Sequence, residues 1–419
     1  MSFFLKNIFF IVLTILCFPV VAQYNANFYM KATEQAERAK THGRIIQNII
    51  NKNLNTPLSD ETEDGWEAAF DGMEVMEYHN AFTWQKMQEA MADLPFRSVD
   101  FQRRTLETAY MLYAGNFVHE ANSLMHITTT PKIFAMCAVY LLKSDSNHLP
   151  DILSTLHQNF GDSALTDPIL NRLTYELSEG MYWQSIPSEI LKEILGRNFL
   201  AGNTLLISFQ RRNRDYPGMA MVRKKDGSFV KINGDYFHIP QLARGIASLP
   251  YYLTKGNTPQ GIYRMFGFGV SMSQFIGPTA NVQMGMPNEI SKSKFFDKTL
   301  SDDKWTFKDY ADFLPEKVRE YQPLYESYFA GLSGRNEIIA HGTTIDTELY
   351  AGKPYYPMTP SEGCLSTKEF WDGKLIYSDQ QKLVNALLEA GGAKGYVVVI
   401  DIDNKNEPVT MNDVKMYLP

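Results

Sequence analysis

The sequence predicts an α+β protein in which an all-helical N-terminal domain precedes a mostly β domain. Apolar residues recur at helical spacing up to about residue 195, and short β-rich runs follow from about Phe199. The hydrophobic content of 44% and the aromatic content of 13% are typical of a folded chain, and 419 residues suffice for two or three domains. We therefore divide the chain into a leader at residues 1–22, a helical domain at 23–198 and a mostly β domain at 199–419.

The first 22 residues have the pattern of a secretory signal peptide. One positive side chain, Lys6, precedes an apolar run from Ile8 to Phe18, and small or β-branched residues lead to a cleavage site after Ala22. The alternative is an uncleaved anchor, but the run is shorter than the ~20 residues that span a bilayer. No later stretch is apolar enough to span a membrane. We therefore expect a periplasmic or secreted protein without a membrane span.

Charge and cysteine content exclude two classes of protein. The chain has 47 acidic and 40 basic residues, so its net charge is −7, whereas nucleic-acid binders usually carry a concentrated basic face. Its three cysteines are too few for a disulfide scaffold, and Cys17 lies in the predicted leader. Cys137 lies in an apolar helical run, where a free cysteine is most simply a packing residue. Cys364 therefore remains as the cysteine with a candidate chemical role.

Four prolines divide the second half of the helical domain. They stand 19, 18 and 19 residues apart, and each opens a run with apolar residues on one or more helical faces: Pro131, Pro150, Pro168 and Pro187. Thr130 is the predicted cap of the first of these helices, and Gly180 and Gly196 are predicted ends of the third and fourth. This rhythm is similar to that of HEAT or tetratricopeptide arrays. Because no repeat consensus is visible, an irregular helical bundle is the alternative to such an array.

Strand-like patterns dominate the second domain. Residues 204–209 and 218–223 are short β-rich runs, and residues 225–228 carry a hairpin-turn pattern between Arg223 and Phe229. Residues 396–400 form a continuous β-branched run, which is typical of a buried strand. Residues 288–332 are again helical and very aromatic. We interpret them as an insertion with a core of its own, and the alternative is a lid beside an active site.

The candidate chemistry lies in two short segments of this domain. Cys364 follows Pro360, Ser361 and Gly363 in a predicted tight loop, and a lone cysteine there is a candidate nucleophile. His341 ends the apolar run 338–340 and is followed by Gly342, so its ring can point into a cleft as a general base. A papain-like peptidase is a less favoured alternative, because its cysteine normally precedes the histidine, whereas here the histidine comes first.

Together these segments resemble a known catalytic signature. His341-Gly342-Thr343, with Cys364 ending a Ser-x-Gly-Cys motif 23 residues after the histidine, resembles the active site of the L,D-transpeptidase (YkuD-like) catalytic domain. Upstream, Gly256-Asn257-Thr258-Pro259-Gln260-Gly261 is similar to a Gly-x-x-Thr-Pro-x-Gly segment of that family, which leads into a strand. The resemblance covers residues 203–402, about half of the chain, and implies a mostly β catalytic domain with the helical, aromatic-rich insertion.

The resemblance implies acyl transfer on the stem peptides of peptidoglycan. Cys364 would form a thioester with the donor stem, and His341, oriented by the carbonyl of Gly342, would hold the thiol deprotonated and then accept the proton of the acceptor amine. The N–H groups of Gly363 and Cys364 would stabilise the oxyanion. This chemistry needs no metal or organic cofactor. The residues expected to contact substrate are Ser361, Glu362, Thr258, Arg264 and Thr343.

Two positions depart from the family pattern and leave alternatives open. Glu362 stands where the family usually has a histidine, and Ser366 stands where it usually has arginine or asparagine. The alternatives are an L,D-carboxypeptidase or amidase of the same fold and an inactive wall-binding or scaffold protein. Three partners stay open for the helical domain, namely glycan, an envelope protein or only its own catalytic domain.

Overall fold

The computed structural model describes residues 28–178 and 185–419 as a helical N-terminal region followed by a sheet that nearly closes into a barrel. The coarse prediction of helices followed by a mostly β region with a helical insertion is therefore confirmed. The predicted leader at residues 1–22 and the predicted helix end at Gly180 lie outside the described residues. In the described ranges, no helix is long and apolar enough to cross a bilayer.

Eleven α-helices are described before the first strand of the sheet. They are α1 (Gln35–Arg44), α2 (Lys52–Leu54), α3 (Glu63–Met76), α4 (Ala81–Asp93), α5 (Val99–Leu112), α6 (Val118–Ile127), α7 (Pro131–Ser144), α8 (Leu149–Phe160), α9 (Ser163–Thr166), α10 (Pro168–Ser178) and α11 (Ser188–Leu195). A π-helical segment (Ile45–Asn51) joins α1 to α2. The helices that follow are α12 (Lys292–Phe296), α13 (Phe307–Phe313), α14 (Glu326–Leu332), α15 (Asp379–Glu389) and α16 (Met411–Val414).

The helix starts predicted at the four prolines are confirmed. The α10 helix begins at Pro168, and the carboxylate of Asp167 accepts hydrogen bonds from the N–H groups of Ile169 and Leu170. The cap predicted at Thr130 is wrong in one respect, since its side chain makes no capping hydrogen bond. Pro131 fits the first helical position because it has no N–H to satisfy, and the first backbone bond of α7 runs from the N–H of Phe134 to the carbonyl oxygen of Thr130.

The α7 helix lies at the centre of the helical region. Every side chain from Ile133 to Leu141 is buried, including Cys137, which is a free thiol among apolar neighbours, as predicted. The helix packs against α5, α6, α8 and α10. In a linear array each repeat contacts only its neighbours. All of these partners lie within three helices of α7 along the chain, which both a repeat array and an irregular bundle allow.

The main sheet has eight strands in the order β5-β2-β1-β12-β6-β7-β8-β9. The strands are β1 (Thr204–Arg211), β2 (Gly218–Arg223), β3 (Lys231–Ile232), β4 (Asp235–Tyr236), β5 (Ile239–Gln241), β6 (Gly261–Gly269), β7 (Asn281–Gly285), β8 (Ala340–His341), β9 (Leu365–Ser366), β10 (Glu369–Asp372), β11 (Lys374–Ser378) and β12 (Lys394–Asp403). The pairs β1–β12 and β8–β9 are parallel. Leu242, just after β5, pairs with Ser366 of β9, and this bridge links the two edges of the sheet.

Two apolar cores meet on opposite faces of β12, because side chains alternate along a strand. Val397 and Val399 belong to the core shared with the helical region and α15, whereas Val398 and Ile400 belong to the other. The aromatic residues of 288–332 pack into this second core, and the rings of Phe295 and Tyr396 lie 5.7 Å apart. The prediction that this insertion has its own core is therefore wrong. It is too short to bury so many rings alone and covers the sheet instead.

Candidate active site

The fold brings together three segments that are far apart in the sequence. The hydroxyl of Thr258, just before β6, donates a hydrogen bond of 2.9 Å to the carbonyl oxygen of Gly363. Ala340 and Leu365 are paired in the parallel ladder of β8 and β9, so the histidine and cysteine segments lie side by side. The Thr-Pro segment leads into β6, as the resemblance implies. These contacts define the candidate site around the loop 359–365.

Cys364 and His341 lie on the same face of the sheet. Ala340 and Leu365 point into the core, and side chains alternate along a strand, so the two residues beside them face the other way. The half-buried thiol of Cys364 lies 3.5 Å from the carbonyl oxygen of Glu337 and 3.5 Å from the N–H of Ile339. Among the hydrogen bonds of the described residues, none joins this thiol to the imidazole. In this resting conformation the Cys364 thiol therefore points toward the residues just before β8.

The ring of His341 is held by its own neighbour. Its Nδ1 makes a short hydrogen bond with the carbonyl oxygen of Gly342, as the sequence interpretation supposes. Since a carbonyl oxygen only accepts, the proton is on Nδ1 and the lone pair is on Nε2. Burial lowers the pKa of His341, and the bond to Gly342 offsets this in part. The ring is therefore neutral near neutral pH and available as a base.

The thiol of Cys364 is protonated in the resting state. Burial raises its pKa to about 11, although the N–H of Ile339 and the guanidinium of Arg335 act in the opposite direction. The charge of Glu362 raises the pKa further. A neutral thiol and a neutral imidazole therefore form the resting pair. This differs from the expectation that His341 holds the thiol deprotonated, because burial disfavours both charged forms.

The loop before the cysteine is shaped by Ser361. The Ser361 hydroxyl donates to the carbonyl oxygen of Cys364 at 3.0 Å, and it accepts the N–H of Gly363 at 3.3 Å. The N–H of Gly363 is thus occupied, which differs from its expected place in an oxyanion hole. The N–H of Cys364 has no partner among the hydrogen bonds of the described residues. Ser361 therefore serves as a loop-forming residue, and the Cys364 N–H is the available donor.

A buried arginine lies under the same loop. Arg335 donates to the carbonyl oxygens of Tyr251, Leu253 and Gly256 at 2.6–3.0 Å. Gly363 has φ +108°, and a Cβ at this position would collide with the Arg335 guanidinium. No carboxylate forms an ion pair with Arg335 in the part of the chain that the structure describes. Its charge is therefore directed toward the cysteine loop, where it favours the thiolate.

A chain of ion pairs connects the helical region to the loop. Lys255 pairs with Glu362 at 2.5 Å and with Asp71 of α3 at 3.0 Å. Asp71 also pairs with Arg104 of α5 at 2.7 Å. Glu362 is therefore paired with Lys255, and its position two residues before Cys364 is tied to the helices.

Another buried carboxylate supports the histidine turn. Glu369 of β10 is 1% exposed and accepts hydrogen bonds from Ser378 and Trp371. Burial raises its pKa to about 7, and the N–H of Thr343 is one of the donors that lower it. A Cβ on Gly342 would collide with the Glu369 carboxylate. Glycine is therefore required beside His341, and Glu369 holds the turn that orients the ring.

Most of the other side chains expected to contact substrate bind protein groups instead. The buried hydroxyl of Thr343 accepts from Thr359 at 3.0 Å, which joins the histidine turn to the cysteine loop. Arg264 pairs with Asp297 at 2.9 Å and lies over the ring of Tyr396, on the face covered by the insertion. The hydroxyl of Ser366 donates to the carbonyl oxygen of Thr359. Of the five expected substrate contacts, Glu362 is the one with a largely exposed side chain, at 69%.

Sequence reasoning missed Arg335, Glu369 and the pair of Lys255 with Asp71. Arg335 precedes His341 by six residues and Glu369 follows Cys364 by five, but neither is part of a motif, and Asp71 lies in the helical region. The one available indication was Lys255, which precedes the Gly-x-x-Thr-Pro segment. No family model, curated protein or solved structure matches this chain. The geometry and the motifs are therefore the basis for a functional assignment.

Proposed function

We propose that this protein is a cysteine-dependent acyltransferase that cross-links peptidoglycan stem peptides, as an L,D-transpeptidase does. The observation that carries the proposal is the meeting of the three motif segments around Cys364, through the Thr258–Gly363 hydrogen bond and the β8–β9 ladder. The orientation of the His341 ring by Gly342 supports it. A predicted signal peptide agrees with work outside the cytoplasm, and N-terminal sequencing of the exported protein tests its removal after Ala22.

In the proposed reaction, the donor stem reaches the thiol of Cys364 and displaces it from the Glu337 carbonyl. The sulfur attacks the carbonyl carbon between an L- and a D-residue while the thiol proton passes to Nε2 of His341. An S–C bond forms, the C–N bond breaks, and His341 returns the proton to the departing amine. The N–H of Cys364 stabilises the oxyanion, which is worth about 3 kcal/mol for one donor.

The second half of the reaction reverses these steps with a new amine. The amine of an acceptor stem attacks the thioester, its proton passes through His341, and the thiol of Cys364 is released. Water in place of the amine would make the protein an L,D-carboxypeptidase or amidase. Incubation with purified muropeptides distinguishes these outcomes. Cross-linked dimers that disappear with Cys364→Ala are expected, whereas trimmed monomers alone would contradict transfer.

An inactive wall-binding or scaffold protein is the second candidate. The raised pKa of the Cys364 thiol and the occupied N–H of Gly363 favour it. Acylation by a β-lactam of the carbapenem type separates the candidates, because it requires proton transfer at the site and not only a thiol. We expect labelling that is lost in Cys364→Ala and reduced in His341→Ala. Binding to purified wall without any labelling would favour the scaffold.

A further inference from the structure

The resting contact of the Cys364 thiol is made by a residue with a strained backbone. Glu337, just before β8, has φ +57°, a left-handed conformation that residues other than glycine rarely adopt. In this conformation its carbonyl oxygen lies 3.5 Å from Sγ of Cys364 and accepts a hydrogen bond from the thiol. The side chain of Glu337 is exposed, so other contacts must hold its backbone in this conformation.

Glu289, from the first residues of the insertion, supplies such a contact. One oxygen of its carboxylate accepts the N–H of Glu337 at 2.7 Å, and the other accepts the N–H of Met286 at 2.9 Å. Two residues after Glu337, the carbonyl oxygen of Ile339 accepts the N–H of Leu365 at 3.0 Å. The carbonyl group of Glu337 is therefore held in place between the insertion and the cysteine strand β9.

The hydrogen bond from the thiol to this carbonyl is easily exchanged. A thiol is a weak donor, whereas a peptide N–H is a strong one. A peptide that presents an N–H to the carbonyl oxygen of Glu337 would therefore take the place of the thiol. The released side chain of Cys364 can turn about its Cα–Cβ bond toward His341, which lies on the same face of the sheet.

We propose that the carbonyl group of Glu337 is a binding group for the donor peptide. At rest it holds the Cys364 thiol away from His341. In the complex it accepts the N–H of the donor residue whose carbonyl carbon is attacked, while the thiol turns to Nε2 of His341. Glu289 is the positioning residue that keeps this carbonyl group in place. The proposal rests on the function proposed above, since it states that the site recognises its donor as a peptide backbone.

Thiol modification tests the resting contact without any turnover. Methyl methanethiosulfonate is the reagent, because it has no N–H that could compete for the carbonyl oxygen. In the unaltered protein at about pH 7, His341→Ala should leave the rate unchanged. In Glu289→Ala the rate should rise about tenfold, because the released thiol meets the imidazole, and His341→Ala should remove most of this rise. The charge of Glu289 also raises the pKa of the thiol, so the part that survives in the double variant measures that charge alone.

Two substitutions at Glu337 test the backbone conformation itself. Asparagine tolerates the left-handed region, whereas a β-branched residue does not. Glu337→Asn should therefore keep a rate that is independent of His341, whereas Glu337→Val should gain the same dependence on His341 as Glu289→Ala. Glu320→Ala, at an exposed glutamate of the insertion, is the matched control and should change nothing. Circular dichroism and thermal unfolding show which variants are folded, and either Glu289→Ala or Glu337→Val suffices for the test.

A synthetic tetrapeptide donor tests the bound state. Methylation of the N–H of the residue whose carbonyl is attacked should slow thioester formation at Cys364 about tenfold in the unaltered protein, and much less in Glu337→Val. Equal slowing in both proteins would overturn the proposal, as would a rate of thiol modification that depends on His341 in the unaltered protein or in none of the folded variants. No thioester from either donor would refute the proposed function and this contact together. Thioester formation without the expected dependence on His341 would refute the contact alone.

Discussion

The protonation state of Cys364 gives the most direct test of the site. A pKa of about 11, against an ordinary 9.0, leaves about one thiol in ten thousand ionised at pH 7, instead of one in about a hundred. A more basic thiolate is also a better nucleophile, which recovers about a tenfold factor. We therefore expect iodoacetamide to alkylate Cys364 about ten times more slowly than an unperturbed cysteine at neutral pH.

The assay is the alkylation rate followed by mass spectrometry between about pH 6 and pH 10. The rate should rise through this range without a plateau at low pH. His341→Ala should leave it unchanged near neutral pH, because the resting imidazole is neutral and has no hydrogen bond to the thiol. Cys364→Ala corrects for the buried Cys137. A plateau below about pH 7 that is lost in His341→Ala would show a preformed ion pair and refute this reasoning.

Three further predictions concern the surroundings of the pair. A negative charge beside the Cys364 thiol disfavours the thiolate, so Glu362→Gln should speed alkylation of Cys364. Lys255→Met should slow alkylation, because it removes the positive partner of Glu362. Equal alkylation rates in both variants would contradict this electrostatic link. Gly342→Ala forces a methyl group into the Glu369 carboxylate and should cost about 1–3 kcal/mol in urea unfolding, whereas an unchanged midpoint would show that the turn yields freely. Glu369 has its pKa raised from 4.5 to about 7, so its contribution to stability is complete below about pH 4.5 and is lost as the pH rises through about 7. That loss is worth about 3 kcal/mol at high pH, and Glu369→Gln should remove this part of the pH dependence of unfolding; parallel curves for both proteins would contradict it.

Much of the fold could be predicted because its determinants are local. Proline at the first turn and apolar residues at helical spacing placed α7, α8, α10 and α11, and the continuous β-branched run placed β12. The aromatic insertion was misjudged, since helical spacing cannot show which face of a distant strand an aromatic ring covers. Only the tertiary structure joins Phe295 to Tyr396 in one core.

The sequence by itself determined the candidate nucleophile, the candidate base and the segment that leads into β6, because each is a short motif read within a few residues. Only the tertiary structure decided what surrounds them. Arg335 and Glu369 lie close to the two motifs in sequence but contact them only through the fold, and Asp71 reaches Lys255 from the helical region. The pKa of Cys364 follows from its burial in this setting, where Arg335 lowers it and Glu362 raises it. Charge state depends on desolvation and on neighbours in space, which the order of residues does not specify.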